Sequence, residues 1–77
     1  MATGYVLVNV DPGSEYEVFG QARDLKMVVD ATLLFGDYDL ILKLVAPSMG
    51  QIAAIVVEKV RQIPGVRNTK TLAGAEL

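Results

Sequence analysis

Four short stretches of this chain carry the apolar pattern of β-strands, one of them alternating with polar residues, and two others carry apolar residues at helical spacing. Tyr5–Val10 is a short β-branched apolar run closed by Asp11-Pro12-Gly13, and it predicts strand one. Ser14 opens a helix, because Glu17 stands three residues on as in a capping box and Glu15 and Glu17 favour the positive helix end. Val18, Ala22 and Leu25 form its apolar stripe, with Phe19 alongside. Met27–Phe35 predicts strand two, where Asp30 and Thr32 alternate with Val29, Ala31 and Leu33, and Tyr38–Val45 predicts strand three. Ser48 with Gln51 repeats the capping signal and starts a helix to about Ile63, its core stripe being Met49, Ile52, Val56, Val60 and Ile63. Pro64-Gly65 stops it, Val66–Leu72 predicts strand four, and Ala73–Leu77 is expected to fray.

The order is βαββαβ, and each half leads a strand through a proline (Pro12, Pro47) into a capped helix. Two interleaved right-handed crossovers make a four-stranded antiparallel sheet with both helices on one face, an α+β, ferredoxin-like fold. The apolar strands one and three belong in its centre. Strands two and four, with Asp30, Thr32, Arg67, Asn68 and Lys70, belong at its edges.

A sheet covered on one side should be polar on the other. Here Val6, Val8 and Val10 share a face, yet Tyr5 and Leu7 oppose them; Leu40, Leu42 and Leu44 are likewise opposed by Ile41 and Val45. The face without helices therefore needs a cover, and a second copy of the chain is the expected one. Composition agrees. Seventy-seven residues make one small domain, 52% hydrophobic with mean hydropathy +0.39, which its own core stabilises only marginally. Without cysteine or histidine there is no disulfide, zinc site or iron–sulfur cluster, so oligomerisation is the remaining support. Ala54, Ile55 and Val57, away from the main stripe of the second helix, hint at a further contact.

Net charge is −2, and the seven basic residues are scattered rather than clustered, which argues against direct nucleic-acid binding. No run approaches the ~20 apolar residues of a membrane span, and no signal peptide is visible, so a cytoplasmic protein is expected. Catalysis is not expected either, since the commonest general base and the thiol nucleophile are missing. No cofactor is implied.

Candidate chemistry concentrates in Gly36-Asp37-Tyr38-Asp39, the predicted hairpin turn between strands two and three. Gly36 supplies positive φ, and Asp37 tolerates left-handed backbone and bonds its own backbone. A turn needs no tyrosine or second carboxylate, so both a plain turn and a binding loop fit these residues. Together with Gly65-Val66 leading into Thr69-Lys70-Thr71, the tetrad resembles the effector-binding (RAM) domain of the Lrp/AsnC regulators, over about Gly4 to Leu72.

The resemblance implies an amino-acid effector module. The loop Gly36-Asp37-Tyr38-Asp39 would line the effector pocket, with Asp39 facing the ligand ammonium and backbone N–H groups near Gly36 taking its carboxylate, and Thr69 and Thr71 would add hydroxyl contacts. Ordinary β-propensity explains the two threonines equally well. Phe35 departs from the family, which often has a small hydroxyl residue there. The family implies homodimers building octamers or larger rings, with full-length Lrp/AsnC regulators as further partners. Strand one begins close to Met1, so a stand-alone domain over residues 1–77, without the family's helix-turn-helix, is expected. The alternative is an assembly module that has lost ligand binding.

Overall fold

Alternating burial along the two central strands organises the molecule. The structure, a computed structural model, describes residues 1–75. Its elements are β1 (Ala2–Val10), α1 (Glu15–Arg23), β2 (Val28–Leu33), β3 (Leu40–Ala46), α2 (Met49–Ile55) and β4 (Val66–Ala73). The strands form one antiparallel sheet in the order β2-β3-β1-β4, with the two most apolar strands inside. Val6, Val8, Leu40, Leu42 and Leu44 are buried against Val18 and Ala22 of α1 and Ile52 of α2, so both helices cover the same face. Tyr5, Leu7, Ile41 and Val45, on the other face, are half-exposed.

The helix ends differ for a backbone reason. At Ser48 the backbone is extended (φ −148°, ψ 158°), and the Gln51 N–H donates to Oγ at 3.2 Å. At Ser14 it is close to helical (φ −98°, ψ 3°), and no side-chain cap forms. The expected capping box at Ser14 is therefore absent, because its hydroxyl is not aimed along the helix axis at the free N–H groups. The second helix runs from α2 into a π-helical turn, Val56–Val60, closed by Arg61 N–H on the Val56 carbonyl at 2.9 Å. This wider turn takes up the overshoot of about 40° that four residues accumulate in an α-helix, and Ile52, Val56 and Val60 all stay buried. The helix ends at Val60 rather than Ile63.

Two Pro-Gly turns meet beside α1. In Asp11–Ser14 and in Ile63–Val66 the fourth residue's N–H donates to the first carbonyl, at 3.0 and 3.1 Å. Gly13 and Gly65 hold φ of 90° and 101° at the third position, as a type II turn requires. The Asp11 N–H donates to the Gly65 carbonyl at 2.7 Å, joining the turns. A Cβ on Gly65 would lie 2.9 Å from the Ser14 Cβ, so Ser14 serves as a small packing residue here.

Strand bounds shift at the ends. β1 starts at Ala2, not Tyr5, because Ala2, Thr3 and Gly4 pair with Ala46, Val45 and Leu44. β2 stops at Leu33 and β3 starts at Leu40, so the connection is longer than four residues. At the other end Ala73 belongs to β4, and the Gly74 N–H donates to the Thr3 carbonyl at 2.8 Å; of the expected frayed tail, Glu76 and Leu77 lie outside the described residues.

Candidate functional site

The loop Leu34–Asp39 is closed at its base by the Leu34 N–H on the Asp39 carbonyl, 2.8 Å. Asp39 is also tied to β1 twice. Its N–H donates to the Val8 carbonyl at 2.9 Å, and its Oδ2 accepts the Val10 N–H at 2.8 Å. The latter bond compensates an N–H at the point where β1 leaves its partner β3, whose pairing ends at Val8–Leu40. One oxygen of the half-buried Asp39 is thus engaged, and Oδ1 accepts no hydrogen bond among the described residues.

Beside this anchor lies a half-open depression of about 370 Å³. Glu15 and Tyr16 from the first turn of α1, Leu33 from the end of β2, and Leu34, Phe35, Gly36 and Asp39 from the loop line it. Phe35 and Tyr16 are 108% and 81% exposed, so neither ring fills it. Gly36 holds φ 129°. Among the described residues, the N–H groups of Phe35, Gly36, Asp37 and Tyr38 donate to no acceptor. A carboxylate acceptor next to unpaired N–H donors matches a zwitterion, whose two ends need opposite partners.

Of the six residues singled out in the sequence, Gly36 and Asp39 line the depression and Asp37 and Tyr38 belong to the same loop without lining it. Thr69 and Thr71 do not join them within one chain. They stand on β4, paired with Val8 and Val6 of β1, and so lie two strands from β3, or roughly 10 Å across the sheet from the row of Leu40. Directly paired residues share a face, so both threonines stand on the helix side. Glu15 and Tyr16 escaped the sequence reading, because an acidic first turn is already explained by the helix dipole. Tyr16 carried a usable signal, being an aromatic residue outside the apolar stripe of α1.

Residues 3–73 match the family model of the Lrp/AsnC ligand binding domain. The chain belongs to the Lrp/AsnC ligand-binding domain family. It is 34% identical over 73 residues to an uncharacterized HTH-type transcriptional regulator of Pyrococcus furiosus and 36% identical to one of Pyrococcus horikoshii. These alignments cover 91% of this chain and 49% of each regulator, so the chain spans about half the length of these relatives. Among solved structures, a hypothetical protein of P. horikoshii superposes with TM-score 0.89 at 27% identity, over 100% of this chain and 93% of the other. AsnC of E. coli matches the fold with TM-score 0.90 at 16% identity, over 99% of this chain and 52% of AsnC. A Neisseria meningitidis transcriptional regulator, solved as a complex with L-Met, does so with TM-score 0.85 at 17% identity, over 97% of this chain and 50% of that one. The Lrp/AsnC domain here thus shares its ferredoxin-like fold with regulatory proteins. No helix among the described residues is long and apolar enough to cross a membrane.

Proposed function

We propose that this Lrp/AsnC domain, residues 1–77, is a cytoplasmic amino-acid effector-binding module that works as a self-assembled oligomer, not as an enzyme. The observation that carries the reading is the pairing, in one loop, of the Asp39 Oδ1 with the unpaired N–H groups of residues 35–38. An α-ammonium on Asp39 and an α-carboxylate on those amides satisfy both halves of an amino acid at one place.

The half-open depression gives only partial enclosure, and assembly supplies the rest. Two copies pack through the helix-free faces around Leu7 and Ile41, and dimers associate further into an octamer or larger ring. In that assembly Thr69 and Thr71 reach a ligand only as residues of another copy, since β4 lies away from the loop of its own chain. Full-length Lrp/AsnC regulators carrying the same domain are the natural partners of the same surfaces. Direct contact with nucleic acid is not part of this role, given a net charge of −2 and no basic cluster.

A thermal-shift screen of the 77-residue chain against the twenty amino acids tests the reading. A ligand held only by the folded state raises the melting temperature by mass action. A second reading, an assembly module without a ligand, draws support from the exposed Phe35 and Tyr16 rings beside the loop, which suit a protein contact. A flat screen together with an intact oligomer would favour it.

A further inference from the structure

The two charged side chains lining the depression are both carboxylates, and this constrains what it can hold. Asp39 comes from the loop and Glu15 from the first turn of α1. None of the seven Lys and Arg residues lines the depression, and the ion pair among the described residues, Arg67 with Asp11, involves neither carboxylate. The lining also includes the apolar Leu33, Leu34 and Phe35, and the Tyr16 and Phe35 rings are largely exposed.

An amino acid with one ammonium answers only one of these carboxylates. With its ammonium on Asp39 and its carboxylate on the loop amides, it leaves Glu15 facing the same depression with only the helix dipole and no cation as partner. A like-charged acidic side chain would be repelled. A second cation at the end of an aliphatic stem meets every lining group: the stem packs on Leu33 and Leu34, and the cation pairs with Glu15. The exposed aromatic rings add a face on which an ammonium or guanidinium is attracted by the ring quadrupole.

We propose that this depression selects a dibasic amino acid of lysine or arginine type, with Asp39 taking the α-ammonium and Glu15 the side-chain cation. The assignment rests on the amino-acid reading above and adds the side-chain class to it.

Calorimetric titration of the whole chain with L-lysine, L-arginine and L-norleucine tests it, because norleucine keeps the lysine stem and lacks the terminal ammonium. Lysine or arginine should bind roughly tenfold or more tightly than norleucine. Glu15→Gln should bring the better of the two down to the affinity of norleucine, whereas Asp39→Asn should weaken all three ligands. Norleucine binding as tightly as both dibasic ligands, or Glu15→Gln weakening norleucine and lysine equally, overturns the assignment while the amino-acid site stands. Binding of no amino acid at all overturns both.

Discussion

The Asp39 carboxylate holds the Val10 N–H at 2.8 Å, joining the start of β3 to the end of β1. The residue that the effector reading assigns to the ligand ammonium is therefore also a structural clamp, and the two roles fall on different oxygens. Asp39→Ala leaves a part-buried N–H without an acceptor and should cost about 1–3 kcal/mol of stability in chemical denaturation. Asp39→Asn retains a carbonyl acceptor for Val10 and should fold nearly as well. Its effect should appear instead in calorimetry as an affinity loss of about 2 kcal/mol, the low end for a half-exposed charged pair. Asp37→Asn should change neither measurement by much, since Asp37 is exposed and does not line the depression beside Asp39. Equal affinity losses at both aspartates would remove the asymmetry.

The two helix-start serines should respond differently to the same change. Ser48→Ala removes the acceptor of the Gln51 N–H and should lower stability by about 0.5–2 kcal/mol. Ser14→Ala removes no cap bond and should be close to neutral by the same denaturant titration. Circular dichroism against urea compares them directly.

Gly65 should tolerate no side chain. Its φ of 101° disfavours any L-residue, and a Cβ would meet Ser14 and the Val18 Cγ2 at 2.9 and 3.1 Å. Gly65→Ala should destabilise the chain by about 1–3 kcal/mol. Because Val18 belongs to α1 and Ser14 immediately precedes it, the loss should be accompanied by faster hydrogen exchange in that helix. A neutral substitution would mean that the two turns are not clamped together.

The helix-free face should govern assembly. Leu7 and Ile41 are directly paired on it, the Tyr5–Lys43 pair stands next along the strands, and Val45 lies beyond Lys43. Leu7→Glu places a charge where a second copy is expected to dock and should shift light scattering at micromolar concentration toward the monomer. The wild-type chain should measure at least two copies. A wild-type monomer there would exclude the assembly, and with it a site shared between copies.

Strand and helix order, the central place of β1 and β3 and the identity of the core were all legible in the sequence. They rest on periodicity: Val6, Val8, Leu40, Leu42 and Leu44 recur at two residues, and Ile52, Val56 and Val60 at helical spacing, whatever their neighbours do. The loop Gly36–Asp39 was legible for the same local reason, as residues with turn chemistry interrupting two apolar runs. Capping was legible only by half, since Ser14 and Ser48 present similar motifs and differ in a backbone angle that the joined Pro-Gly turns impose. Nothing local tells that Asp39 accepts from Val10, 29 residues away, or that Glu15 and Tyr16 stand beside Phe35. Sheet order decides those contacts, by setting β3 against β1 and so bringing the start of α1 next to the β2–β3 loop. It also carries Thr69 and Thr71 away from that loop. Local pattern determines which residues turn inward; only the packing of distant segments determines which of the remaining residues meet.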